Sequence, residues 1–344
     1  MKKIKAVLMA DNVPFYDGDI VEYVYGRERV NKIREMTDFH PVRINSGNLE
    51  AELPKLSETE VIFSCWGMPK LTTAQIGLMP KLKTLFYAGG SVNGFAGNYL
   101  ERGITVCTAV EANAIPVAEF CLAQILLACK GTYHNSQLCK KGPWKQGEMQ
   151  VGRGVYGETV ALVGIGAVSR HLLKLLKPFN LRIIAVEPND YLEKPPFNGH
   201  EAIGISKLVS IEEAFQQAYV VSNHLPDKAE NKKVLTGKHF SSLRQGATFI
   251  NTGRGAQVDE AGMIEVLKSR PDLTALLDVQ HPEPPEAVSE LFRLPNIHMT
   301  SHIAGSTNDE VRRMADFMLE DFQRYVKNKP LRYAVQAEEL NGRA

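Results

Sequence analysis

Short apolar runs recur along the first hundred residues, at positions 4–9, 42–44, 61–65, 84–87 and 104–108, with helical patterns between them. That alternation predicts a parallel sheet built from strand–helix units. A second, stronger series occupies positions 159–163, 181–186, 218–221, 247–250, 274–277 and 297–300. Six such strands with intervening helices fit the two-halved doubly wound fold that holds dinucleotides. Between the two series, positions 113–140 predict one long helix, with Asn113 as N-cap and Pro116 in its first turn. Positions 308–327 predict another, because Val311, Met314, Ala315, Met318, Leu319 and Phe322 recur at three- and four-residue spacing.

The fold class is therefore α/β, with two doubly wound parallel-sheet domains, and a chain of 344 residues is long enough for two cores. A formal net charge of +1 gives no electrostatic case for nucleic acid or for an acidic membrane surface. Small molecules and copies of the chain itself are the expected partners. The five cysteines are odd in number and lack CxxC spacing, which argues against a disulfide framework and a zinc site, and buried free thiols are expected. No His/Asp/Glu cluster has ligand spacing, so no metal is expected. The basic opening lacks the apolar length of a signal peptide, which makes the cytoplasm the default location. The apolar stretch 115–129, interrupted by Glu119 and Gln124, is expected to fall short of a bilayer span and to be a buried helix. Its apolar circumference predicts burial in a homodimer.

Three motifs carry candidate chemistry. They are Asn251-Thr252-Gly253-Arg254-Gly255, Asp278-Val279-Gln280-His281-Pro282-Glu283-Pro284 and Ser301-His302-Ile303-Ala304-Gly305. Singly, each of Arg254, Glu283 and His302 is an ordinary loop residue. Together, each follows a predicted strand, and the carboxyl ends of parallel strands line the ligand crevice of an open sheet. Reversible reduction of a 2-keto acid needs a cation on the carbonyl and carboxylate oxygens, a proton donor near neutral pH, and a carboxylate to hold that donor. Arg254, His302 and Glu283 have those properties. His281 and His298 do not match the motif position and are expected to be bystanders.

The strand at 160–163 runs into Gly164-Ile165-Gly166-Ala167-Val168-Ser169 and then an apolar-faced helix. In that context Gly164 allows the tight turn, Gly166 admits a pyrophosphate, and the N–H groups of Ala167 and Val168 favour the anion. Ser169 takes the place of the usual third glycine. The next strand ends at Glu187-Pro188, near the spacing of a ribose-binding carboxylate. Glu187 would repel a 2′-phosphate, so NAD is expected over NADP.

These residues resemble the D-isomer-specific 2-hydroxyacid dehydrogenases. The likeness runs through residues 157–187, His224-Leu225-Pro226 and the three motifs above, and more weakly through 87–92 and 116–120. It implies a flavodoxin-like substrate domain, residues 1–112 with 306–344, into which a Rossmann NAD-binding domain, residues 113–305, is inserted, with the active site in the cleft between them. It also implies that Arg254 binds substrate oxygens, that His302 passes the proton, and that Glu283 orients it. Asp278 is then expected near the nicotinamide, His224, Leu225 and Pro226 beside the adenosine, and Thr252 and Gly305 of the shared motifs along the cofactor. Main-chain amides at Gly90 and Ser91 would hold the substrate carboxylate, and Trp66 and Gly67 would wall the pocket. Fold alone leaves open a second class, an NAD(H)-sensing regulatory protein that resembles a corepressor and turns over little.

Overall fold

The computed structural model describes residues 3–145, 152–186 and 201–335. The chain forms two compact units, Met1–Asn113 with Ser306–Ala344, and Ala114–Gly305.

Unit 1 carries five parallel strands: β1 (Ile4–Met9), β2 (Thr37–Phe39), β3 (Val61–Cys65), β4 (Thr84–Ala88) and β5 (Thr105–Thr108), in the order β2-β1-β3-β4-β5. This is the flavodoxin-like order, with its switch point between β1 and β3. Every residue of β3 and β4 is buried, as expected for parallel strands covered on both faces. The helix Val311–Val326 covers one face. Its Phe322 ring packs edge-on to Phe63 at 5.0 Å and to Phe86 at 5.6 Å.

The edge strand differs from the one expected at 42–44. Thr37–Phe39 pairs with β1, whereas Ile44 reaches Met9 through a single bridge. Thr37 follows the helix Gly26–Met36 without an intervening turn, so no local signal marks the strand's start.

Unit 2 has seven parallel strands: β6 (Glu158–Val163), β7 (Leu181–Val186), β8 (Lys207–Val209), β9 (Val220–Asn223), β10 (Thr248–Asn251), β11 (Thr274–Leu277) and β12 (Ile297–Met299). Their order is β12-β11-β10-β9-β6-β7-β8. Strands β8-β7-β6-β9-β10-β11 reproduce the dinucleotide-binding order, and β12 extends the sheet. The seventh strand beyond the six expected is β8, a three-residue edge opened by an exposed lysine, too short for a hydrophobic pattern.

The single helix expected over 113–140 is two, Val110–Cys129 and Thr132–Cys139, parted at Gly131, whose φ of +69° suits glycine. The first begins three residues earlier than expected, so Asn113 lies inside it rather than capping it, and Pro116 falls in the second turn. Asn113 Oδ1 accepts instead from the Ser306 N–H at 2.9 Å. Val117, Ala118, Cys121, Ile125, Ala128 and Cys129 bury one face of this helix against unit 2's sheet. At 20 residues it is long and apolar enough by composition to cross a membrane, contrary to the shorter span expected, and half of its most apolar window is buried within the protein. All five cysteines are free, and four are buried.

Candidate active site

Arg254, Glu283 and His302 leave the carboxyl ends of three adjacent strands. Their register aligns Asn251 of β10 with Leu277 of β11, and Leu277 with Met299 of β12. The loops are fastened to one another. A Cβ on Gly255 would stand 2.0 Å from the carbonyl carbon of Gln280, so the Arg254 and Glu283 loops meet backbone to backbone and only glycine fits. The Gln280 amide donates to Leu277 O at 2.9 Å, beside β12.

His302 Nδ1 lies 2.6 Å from Glu283 Oε1, with both side chains nearly half exposed. An ionised carboxylate only accepts, so Nδ1 carries the hydrogen and Nε2 is left to exchange a proton. The imidazole sits on a backbone with φ of +59°, an unusual conformation for a side-chain-bearing residue. Asp278 supports that loop. Its buried carboxylate accepts from Thr300 Oγ1 at 2.6 Å, from Ile303 N at 2.9 Å and from Ala304 N at 3.0 Å, while its carbonyl takes the His302 N–H at 2.9 Å. Hydrogen bonds to a charged group contribute about 1.5–3 kcal/mol each. Of the two acids in one motif, Glu283 pairs with His302 and Asp278 builds the loop beneath it.

Arg254 is half-buried, on extended backbone. Its Nη1 donates to Gly253 O at 2.8 Å, and its Nε stands 3.8 Å from Asp227 Oδ2. A buried amide network fixes its main chain. Asn223 Nδ2 donates to Asn251 Oδ1 at 3.0 Å and to Gln257 Oε1 at 2.7 Å, and Gln257 Oε1 accepts the Arg254 N–H at 3.1 Å. Gln257 Nε2 in turn donates to Leu225 O and Pro226 O, both at 2.9 Å. Asn223, Gln257 and Asp227 escape the sequence reading, and Asn251 stands in its motif with no role assigned. Their one signal is that Asn223 and Asn251 are the polar last residues of β9 and β10.

The Gly-rich turn leaves β6 at the point where strand order reverses, between β6 and β9. Gly164 has φ of +96°, and a Cβ there would stand 2.9 Å from His224 O, which presses the turn against the residues after β9. A Cβ on Gly166 would meet nothing within 4 Å. The helix Ala167–Leu176 starts there with no side-chain cap on its N–H groups, including those of Ala167 and Val168. Open backbone before an uncapped helix N-terminus fits a pyrophosphate. Ser169, fully buried, donates from Oγ to Gly164 O at 2.6 Å and so ties the helix to the turn. Glu187 and Pro188 lie outside the described residues.

Across the switch point, His224 is enclosed. Its Nε2 lies 2.9 Å from Ser222 Oγ and its Nδ1 3.3 Å from Thr252 Oγ1, and burial pushes its pKa down to about 4, so the ring is neutral. Thr252 Oγ1 also lies 3.4 Å from Cys121 Sγ. Leu225 is buried, Pro226 half-buried, and Gly305 ends the His302 loop. Unit 2 thus gathers Arg254, Glu283, His302 and the turn on one sheet edge. Trp66, Gly90 and Ser91 belong to unit 1, where the pairing of Cys65 with Ala88 sets the residues after β3 and β4 side by side.

Residues 122–304 match the model of the D-isomer specific 2-hydroxyacid dehydrogenase NAD binding domain. The D-3-phosphoglycerate dehydrogenase of Archaeoglobus fulgidus is 29% identical over 267 residues, which cover 77% of this chain and 49% of that protein. This chain thus spans about half the length of that relative. The hydroxypyruvate reductase of Thermotoga maritima is 27% identical over 283 residues, 81% of this chain and 89% of that one. Among solved structures, a phosphoglycerate oxidoreductase from Rhizobium etli superposes with a TM-score of 0.79 at 20% identity, covering 98% of this chain and 99% of that one. With its family model matched over more than half its length, the chain belongs to the D-isomer-specific 2-hydroxyacid dehydrogenases, and its second unit is their NAD-binding domain.

Proposed function

We propose that the protein moves a hydride between NAD(H) and C2 of a small 2-keto or D-2-hydroxy acid. The observation that carries this reading is the 2.6 Å pairing of His302 Nδ1 with Glu283, set on the same sheet edge as Arg254. Bound at the Gly164–Gly166 turn, the nicotinamide cofactor supplies or removes the hydride. The chain's own residues do the rest. Arg254 grips the substrate's carboxylate and carbonyl oxygens and stabilises the negative charge that develops on the carbonyl oxygen during reduction. His302 donates its Nε2 proton to that oxygen and takes it back in oxidation. Glu283 holds Nδ1–H, which fixes the ring's orientation and balances the imidazolium charge.

Amides at Gly90 and Ser91 receive the substrate carboxylate, and Trp66 walls its side chain. Glu187, through its charge, favours NAD over NADP. The names of the two relatives above, a 3-phosphoglycerate dehydrogenase and a hydroxypyruvate reductase, support the reaction class. The reading is tested by following NADH oxidation over a panel of 2-keto acids, with NADPH in parallel. Turnover with NADH is expected; NADH binding with no turnover across the panel would overturn it.

The helix Val110–Cys129 supports a homodimer. Opposite its buried face, Ala123 and Leu127 are exposed, an apolar stripe for a second copy to cover. Light scattering should find twice the 38.2 kDa chain mass, and a species of 38.2 kDa alone would contradict it.

A further inference from the structure

In unit 1 the strand order reverses between β1 and β3, and ligands of open α/β sheets lodge at such a switch point, outside the carboxyl ends of the strands. Two aromatic residues occupy it. Phe15, on the loop after β1, meets Trp66, the first residue after β3, edge to face at 5.5 Å and 81°. Phe15 is 69% exposed and Trp66 half-buried.

The loop carrying Phe15 is anchored without it. Asp11 N–H donates to Gly67 O at 2.7 Å, and a Cβ on Gly67 would stand 2.1 Å from Asp11 O, so the two loops touch through glycine. The Asp11 carboxylate accepts from Ser46 N and Oγ at 2.7 and 2.6 Å. Tyr16 stacks on Tyr23 at 4.1 Å, and the Tyr23 hydroxyl accepts the Asn308 N–H at 2.8 Å. With the loop held by Asp11, Gly67 and Tyr16, Phe15 is left presenting apolar surface beside Trp66, and an aromatic face in water gains by being covered. Further along the loop, Asp19 pairs with Arg43 at 2.7 Å. Lys70, exposed further along the Trp66 loop, is the cation that would suit a phosphorylated substrate instead.

We propose that Phe15 and Trp66 form the subsite for the substrate's side chain, and that the protein acts on 2-keto acids bearing a large apolar or aromatic group. This rests on the dehydrogenase reading above and names its substrate class. The test is NADH-dependent reduction of phenylpyruvate, 4-methyl-2-oxopentanoate, glyoxylate, hydroxypyruvate and 3-phosphohydroxypyruvate by the wild type, Phe15→Ala, Phe15→Leu and Trp66→Ala. Wild-type kcat/KM should favour phenylpyruvate over glyoxylate by roughly tenfold to a hundredfold, the factor that burying one aromatic group supplies. Phe15→Ala should lower that ratio about tenfold, and Phe15→Leu should restore part of it.

A second readout is independent of turnover. The sequence has two tryptophans, so Trp144→Phe leaves Trp66 alone to report. Its emission should change on titration with (R)-3-phenyllactate, with Phe15→Ala weakening the affinity. Preference for glyoxylate, hydroxypyruvate or the phosphorylated acid, or a substrate ratio indifferent to Phe15→Ala, overturns this inference and leaves the dehydrogenase reading standing. NADH binding without reduction of any member removes both.

Discussion

The carboxyl edges of the two sheets present different groups. In unit 2 the side chains proposed for the chemistry are about a third to a half exposed, yet the main chain beneath them is fastened by buried polar groups: Asp278 under His302, and Asn223, Asn251 and Gln257 under Arg254. In unit 1 the edge offers glycine backbone at Gly67 and Gly90 and the aromatic faces of Phe15 and Trp66, over main chain tied by the buried hydroxyls of Tyr25, Ser64 and Thr108. The difference fits the role proposed for each edge. Proton transfer works only within hydrogen-bond reach, so its residues are fixed by directional bonds. Recognition of an apolar side chain depends on area, which is non-directional and tolerates looser walls.

Removing the side chains proposed to meet the substrate should cost the most. His302→Ala and Arg254→Ala should each lower kcat/KM by about two to four orders of magnitude while NADH affinity holds, as steady-state kinetics beside NADH fluorescence titration would reveal. A loss below about tenfold would mean that neither side chain meets the reacting atoms.

Next is the support beneath them. Asp278→Ala strands the N–H groups of Ile303 and Ala304 and should lower stability by about 4 kcal/mol in urea unfolding, with turnover falling as His302 leaves its left-handed backbone. Were the loss under about 1 kcal/mol, the loop would not depend on that carboxylate.

A smaller effect sharpens the contrast between buried and exposed histidines. His224 has a folded pKa pushed down to about 4 from 6.5. Between those values the unfolded chain binds the proton and the folded one does not. Stability is therefore complete above pH 6.5 and is lost as pH falls toward 4, by about 2 kcal/mol at pH 5. His224→Gln should flatten that part of the pH–stability curve; an unchanged slope would assign it to other groups. Smallest is the roughly tenfold shift in substrate preference expected for Phe15→Ala, at an edge that tolerates change.

Much of this was legible in the sequence. Arg254, Glu283 and His302 stand in short motifs after strong apolar runs, and parallel strands deliver such residues to one edge. The Gly164 turn was legible because strand, glycines and helix follow in order. The supporting network was not. Asn223 and Asn251 look like any polar residue that ends a strand, and only the fold shows that both are buried and share Gln257. Nor does spacing tell which acid of the Asp278–Glu283 motif is buried under the loop and which pairs with His302. The break at Gly131 hides within a continuous helical pattern, and β2 hides behind a helix that runs straight into it. The boundaries expected between the domains, at residues 112–113 and 305–306, remain part of the proposed organisation, beside the two compact units described above.

The central claim is that His302, held by Glu283, exchanges a proton with a 2-keto acid reduced by NADH. It is tested most directly by mixing the NADH complexes of the wild type and His302→Ala with the 2-keto acid panel and following loss of NADH absorbance. The account predicts rapid loss in the wild type, slowed by about a hundredfold or more in the variant at equal NADH affinity. Equal rates in the two proteins, or wild-type binding with no loss on any acid, would contradict it.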